Sequence, residues 1–245
     1  MTAELQYERV RRVETDHWWF VALRELVIQT LVRRHPDGGR VLDAGCGTGR
    51  LLRELPPGFA RTGVDVEADV LAVAGADASE IEFVEASLEQ LPFADDSFDA
   101  VVSLDVVSDA RLADPHAALE ELRRVLRPGG SLILNLPAYE FLRSGHDVVA
   151  QTARRYTAGS ATRLLADTGF RPLSVSYRVT ALFPVAAARR LLTRGRAETD
   201  VGSVSPPLNT ILTGIMRLEN RTLTRVRLPF GLSVFAVATP AERIR

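Results

Sequence analysis

Apolar and polar positions alternate along the chain in three different rhythms. Over residues 4–34 the apolar positions recur at helical spacing, with a break near Thr15-Asp16. Asp16 reads as the cap of the second helix, in which Leu23, Val27 and Leu31 share a face. His35-Pro36-Asp37-Gly38-Gly39 ends this stretch. Short apolar runs then alternate with helical ones. The pattern predicts strands over 40–44, 59–64, 81–85, 98–104 and 131–136, with helices over 48–54, 67–76 and 115–126 between them. Pro115 suits a first helical turn behind Asp114, and 127–130 reads as a turn. The run 98–104 is apolar apart from Asp99 and Ser103, of the kind a parallel sheet buries on both faces. Such alternation gives right-handed βαβ units and hence an α/β, doubly wound, mostly parallel sheet.

The last stretch is less regular. A helix over 158–168 closed by Gly169, a strand over 173–179 and a final buried strand over 232–238 are expected. Some fifty residues separate those strands, too many for a plain connection. Two helices, 181–193 and 208–224, fill most of this insertion. The segment 195–207, rich in Gly, Ser, Pro and charge, reads as a mobile link. No internal repeat interrupts the pattern.

Composition narrows the chemistry. With 245 residues and 46% hydrophobic content, the chain suits one α/β domain with an appendage. A net charge of −1 supplies no basic field for nucleic acid. Cys46 is the single cysteine, which excludes an intramolecular disulfide and argues against a thiolate zinc site, so no metal is expected. All 30 basic residues are arginine, which removes Schiff-base chemistry and a lysine base. The first residues lack an apolar signal core, and no run approaches the roughly 18 apolar residues of a membrane span. A soluble cytoplasmic protein is the expectation.

The most informative segment is Asp43-Ala44-Gly45-Cys46-Gly47-Thr48-Gly49, between a strand and a helix start. Glycines there let a ligand approach the backbone at a strand's carboxyl end, and the helix amides beyond favour a negative group. Asp65 ends the second strand, 16 residues after Gly49. A carboxylate there can accept two hydrogen bonds from a ribose diol; the plain alternative is a turn-forming Asp. The G-x-G-x-G spacing differs from the G-x-G-x-x-G that packs a dinucleotide pyrophosphate.

Val41 to Gly49, Asp65, the stretch Leu91-Pro92-Phe93 to Asp99, and Leu126-Arg127-Pro128-Gly129-Gly130 together resemble the class I S-adenosylmethionine-dependent methyltransferases. The resemblance covers about residues 40–170. It implies a Rossmann-like sheet of seven strands with an antiparallel last pair, and S-adenosylmethionine as cofactor. By the same resemblance Gly45, Cys46 and Gly47 line the aminocarboxypropyl end, and Asp43 supports the loop and the ammonium group. Asp65, with Val66 beside it, takes the ribose hydroxyls. Ser87 and Leu88 meet the adenine, and Leu104 at the fourth strand's end completes the set. His17-Trp18-Trp19-Phe20 followed by an arginine recurs in a bacterial subset, which implies that Arg24 pairs with the cofactor carboxylate. Ser87 is a departure, since many relatives carry Asp there. Ser108-Asp109 stands where similar proteins often read Glu-His, so no role of that histidine carries over.

The implied reaction is in-line methyl transfer to an oxygen or nitrogen of a small-molecule acceptor. Asp105, at the end of the fourth strand, is a candidate for orienting the acceptor or the cofactor's ammonium group; the plain alternative is a strand-end cap. His146 is a candidate general base, with Asp147 to orient it. Cys46 reads as a packing residue, and the two tryptophans either anchor the N-terminal helices or close over the cofactor. The expected division is an N-terminal helical cover (1–36), a cofactor-binding α/β core (37–179 and 231–245) and a helical insertion (180–230) that sets acceptor specificity. Arg189, Arg190, Arg194 and Arg196 beside an apolar helix admit contact with a membrane or a lipid-linked acceptor, but packing on the sheet is the preferred reading. Oligomeric state is left open. The rival functions are a non-catalytic protein that keeps the cofactor fold and a nucleotide-dependent oxidoreductase.

Overall fold

The structure is a computed structural model that describes residues 14–76, 78–192, 204–223 and 225–242. Helix α1 (Trp18–Arg34) precedes β1 (Gly39–Ala44), α2 (Arg50–Glu54), β2 (Phe59–Asp65), α3 (Ala68–Gly75), β3 (Ile81–Glu85) and β4 (Phe98–Leu104). Then come α4 (Pro115–Val125), β5 (Leu126–Pro137), the short α5 (Gly145–Val149), α6 (Ala158–Asp167) and β6 (Phe170–Arg178). Helices α7 (Phe183–Leu192) and α8 (Pro206–Leu223) lead to β7 (Ser233–Pro240).

The seven strands form one sheet in the order β3-β2-β1-β4-β5-β7-β6. β1 pairs in parallel with both β2 and β4, while β7 runs antiparallel to β5 and β6. The strand order therefore reverses between β1 and β4, and such a reversal opens a crevice at the carboxyl ends of the strands. Val41, Leu42, Val101, Val102, Leu132 and Ile133 are fully buried, so the central strands are covered on both faces. Local rules hold at several ends. The Asp114 side chain accepts from the amide of His116 at 2.8 Å ahead of Pro115. Gly169, at φ +77°, closes α6.

Four expectations are corrected. His17, not Asp16, caps α1: its Nδ1 accepts from the Trp19 amide at 3.3 Å, while the Asp16 carbonyl accepts from Asn209. Residues 127–130 fall within the span of β5, where the register with β4 shifts between Phe98–Leu126 and Ala100–Ser131, and Arg127 bonds Asp99 Oδ1 at 2.7 Å across this irregularity. His146 and Asp147 lie on α5 instead of in an open loop, since Ser144 and Asp147 form a capping box. Pro206 and Pro207 open α8, where a missing amide hydrogen costs nothing. The first N-terminal helix falls almost wholly outside the described residues, as does most of the 195–207 link.

The two segments of the chain beyond the sheet meet each other. Trp18 donates its amide to Asn209 Oδ1 (2.9 Å), Asn220 Nδ2 donates to the carbonyl of Ala22 (2.8 Å), and Arg217 pairs with Glu25. Ala22, Leu142, Val179, Ala187, Met216 and Leu232 form a small core of their own, with Trp18 and Trp19 packed against it. N-terminal cover and insertion are thus one helical layer. Arg190 is buried within that region, so not every arginine of the basic cluster faces solvent. Arg194 and Arg196 lie outside the described residues.

Candidate active site

The loop after β1 owes its shape to three residues that can take positive φ: Gly45 (88°), Gly47 (51°) and Gly49 (71°). The amides of Gly45 and Cys46 both donate to the carbonyl of Val64, at 2.8 and 2.9 Å. That of Gly47 donates to Asp65 Oδ2 at 2.9 Å, and Asp65 Oδ1 accepts from Glu67 at 3.3 Å. Loop and acid are therefore one assembly, and the carboxylate holds the loop's tip. A Cβ on Gly45 would lie 2.2 Å from Val106 Cγ2, so only a bare backbone fits.

Asp43 is buried directly below. Desolvation, reinforced by the charge of Asp65, pushes its pKa up to about 7, and burial raises that of Asp65 as well. Two carboxylates sharing a dry site call for a cation between them. The ammonium and sulfonium charges of S-adenosylmethionine fit that demand, whereas a pyrophosphate would meet like charge. Cys46 is buried, its Sγ would sit 2.8 Å from a Cβ on Gly63, and burial holds its thiol well above the usual range. That is packing, not nucleophilicity. Val66 is exposed beside Asp65, Leu88 is buried beyond β3, and Ser87 Oγ accepts from the Glu89 amide at 3.2 Å. Leu104 is half-buried at the tip of β4.

Arg24 lies under the same loop, but each guanidinium nitrogen already has a protein partner. Nε pairs with Glu54 at 2.9 Å, Nη1 donates to the carbonyl of Glu14 at 2.6 Å, and Nη2 to that of Thr15 at 3.3 Å. Glu14 in turn accepts from Thr48 Oγ1 at 2.8 Å. The arginine clamps the N-terminal segment onto the glycine loop. The sequence reading had not foreseen Glu14.

The other half of the crevice lies at the ends of β4, β5 and β6. Asp105 takes positive φ (64°), and its amide donates to the carbonyl of Asn135 at 2.8 Å. Its Oδ1 accepts from Asn135 Nδ2, also at 2.8 Å. Burial pushes its pKa up to about 6, against the opposing pull of Asn135, Arg178 and Arg155. His146 is half-buried on α5. Asp147 does not orient it, because its carboxylate is held by Arg155 Nε at 2.7 Å and by the Ser144 amide at 2.8 Å. Adjacent helical residues also point apart. Asn135 and Arg178 were not foreseen. Asn135 carried a signal, as a polar residue inside the apolar run 132–136, whereas Arg178, at the end of a strand that also holds Arg171, Ser174 and Ser176, carried none. Among the described residues no cluster of His, Cys, Asp and Glu could hold a metal, and no helix is long and apolar enough to cross a membrane.

Comparison with known proteins agrees with this geometry. Residues 42–134 match the model of a methyltransferase domain family. The chain is 34% identical over 146 residues to the demethylmenaquinone methyltransferase of Clavibacter sepedonicus, which covers 56% of this chain and 55% of that protein. It is 32% identical over 151 residues to an O-methyltransferase of Aspergillus sclerotiorum, covering 56% of each. The chain thus spans about half the length of the curated relatives it matches. Among solved structures, the complex between the Haloferax volcanii Trm112 methyltransferase activator and a methyltransferase contains a chain with a TM-score of 0.63 at 23% identity. The match covers 99% of this chain and 97% of that one. Residues 42–134 thus carry a methyltransferase domain, and the glycine loop tied to its acid within the seven-stranded sheet resembles that of the class I S-adenosylmethionine-dependent methyltransferases.

Proposed function

We propose that the protein transfers a methyl group from S-adenosylmethionine to an oxygen or nitrogen of a small-molecule acceptor. The observation that carries this reading is the pairing of the glycine loop with Asp65 above a second buried carboxylate, Asp43. The bound cofactor supplies a methyl group already activated on a sulfonium. Asp65 receives the ribose hydroxyls with its remaining lone pairs, and Asp43 balances the ammonium charge. Ser87 and Leu88 flank the adenine, Val66 and Leu104 line the channel between them, and Arg24 secures the cover that keeps water out. The protein's main task is alignment, worth roughly 7–11 kcal/mol in well-oriented reactions.

Asp105 is the proposed proton acceptor where the acceptor must lose a proton. It sits at the tip of β4, across the strand reversal from the loop, and a pKa near 6 leaves it charged at neutral pH. His146 is the second candidate. The quinone and O-methyl acceptors in the relatives' names support a small molecule over a macromolecule. In this reading α1, α7 and α8 set acceptor specificity from above the sheet. Calorimetry with S-adenosylhomocysteine tests the binding half, where absence of heat removes the proposal. Transfer of labelled methyl to a panel of phenols, acids and amines tests the chemical half, and silence there with intact binding favours a non-catalytic role.

A further inference from the structure

A second charged feature sits at the far end of the crevice, outside everything the cofactor requires. Arg178 ends β6 and is fully buried. It pairs in register with Ser233, and Ser233 with Pro137, two places beyond the row formed by Ser176, Phe235 and Asn135. Directly paired residues share a face, so Arg178 lies on the same side of the sheet as Asn135, to which Asp105 is bonded. Its guanidinium is 5.3 Å from the ring centroid of Trp19. Nε, Nη1 and Nη2 are all buried without a hydrogen-bond partner, and Asn135 Oδ1 is buried in the same condition.

A buried cation with no hydrogen bonds is among the costliest arrangements a fold can hold. Arg155 shows what a structural arginine looks like in this protein: equally enclosed, it binds Asp147 at 2.7 Å and the carbonyl of Ala138 at 2.8 Å. The negative charges around Arg178 are otherwise engaged. Glu219 accepts from the amides of Val179 and Ala181, and Asp105 is tied to Asn135. Both act on the guanidinium only through space. Burial lowers its pKa to about 10, so it stays charged at neutral pH.

We infer that Arg178 is the recognition group for a carboxylate on the methyl acceptor. This rests on the methyltransferase reading, which puts the acceptor at these strand ends. The indole covers one face of the guanidinium, and the fork of N–H donors at its edge matches a planar carboxylate bidentately. A single negative charge is also all that the surroundings tolerate, because Glu219 and Asp105 already contribute a negative field; a phosphate dianion would be repelled.

Trp18 and Trp19 are the chain's two tryptophans, so intrinsic fluorescence reports on this site. Protein loaded with S-adenosylhomocysteine would be titrated with benzoate, benzamide and inorganic phosphate. Benzoate should give a saturable change and benzamide none. Arg178→Met should weaken the benzoate response on the order of tenfold or more, and Arg178→Lys, a point charge without the fork, by less. If Arg178→Met does not fold, Arg178→Met with Glu219→Gln removes both charges and carries the test. No benzoate response, equal response to benzamide, tighter binding of phosphate, or retention of the benzoate response in the Met variant each overturns the inference. Calorimetry with S-adenosylhomocysteine on the same sample separates the two claims. Failure there removes the methyltransferase reading, while failure of benzoate alone removes only the role of Arg178.

Discussion

The two halves of the crevice are built on opposite principles. On the β1–β2 side, backbone does the work: the amides of Gly45 and Cys46 are tied to the carbonyl of Val64, and that of Gly47 to the single acid Asp65. All of it lies within 23 residues, from Asp43 to Asp65. On the β4–β5–β6 side, side chains do the work: Asp105, Asn135, Arg178 and Trp19 come from four distant segments. The first half clusters buried carboxylates and suits a cationic ligand. The second buries a guanidinium and suits an anionic one. An enzyme that keeps one cofactor while its acceptor varies is expected to divide in this way, with a compact motif for the constant ligand and dispersed residues for the variable one.

The largest effect is expected where the backbone is the instrument. Gly45→Val places a branched side chain at φ +88° and against Val106, so S-adenosylhomocysteine binding should fall by at least about 100-fold, read by calorimetry. Near-normal affinity would mean that the loop is not the cofactor's seat. On the other half, Asp105→Asn should leave that affinity intact and lower kcat by about 10²–10⁴-fold if the residue takes a proton. The pH profile gives the sign. The carboxylate must be charged to accept a proton, so the wild-type rate should rise through about pH 6, and the Asn variant should lose that limb. An unchanged limb with an intact rate would transfer the role to His146, where His146→Ala becomes decisive.

Asp65→Ala comes next. It removes the proposed ribose acceptor and orphans the Gly47 amide, and charge-assisted hydrogen bonds of about 1.5–3 kcal/mol each predict a loss of roughly 10–100-fold in cofactor affinity. Asp43 offers a stability test of the idea that this half awaits a cation. Its pKa is raised on folding to about 7, so the folded state binds the proton more tightly than the unfolded one. That contribution is fully present below about pH 4 and is lost as pH rises through about 7. The ligand-free melting temperature should therefore fall over this window for the wild type and stay flatter for Asp43→Asn. Saturation with S-adenosylhomocysteine, which carries an ammonium group, should reduce the slope. A steeper slope for the variant would remove Asp43 from the account. The smallest effect is expected at Arg24, which clamps the cover through Glu14, Thr15 and Glu54. Arg24→Ala should weaken cofactor binding only severalfold, and unchanged affinity would confine the residue to structure.

The same contrast explains how much of the protein could be read from its residues in order. Alternation of apolar runs determines the sheet, because each strand of 98–104 type is apolar on both faces wherever it is placed. The glycine loop and Asp65 determine the β1–β2 half, because positive φ and a strand-end acid are local requirements that a short segment satisfies alone. Caps were legible only in part. Asp114 behaves as its position predicts, whereas Asp16 gives way to His17, and Asn209, nearly two hundred residues away, takes the Trp18 amide that an Asp16 cap would have used. Packing also decided that Asp147 serves Arg155 instead of His146, that Arg24 serves Glu14 and Glu54, and that the N-terminal and inserted helices share one core. Arg178 shows the limit most clearly. In sequence it is one arginine among thirty basic residues, and only the register of β6 against β7, with Trp19 folded over it, makes it a buried charge in need of a partner. Pairing between residues distant along the chain is set by burial and hydrogen-bond satisfaction over the whole molecule, and no local window contains that information.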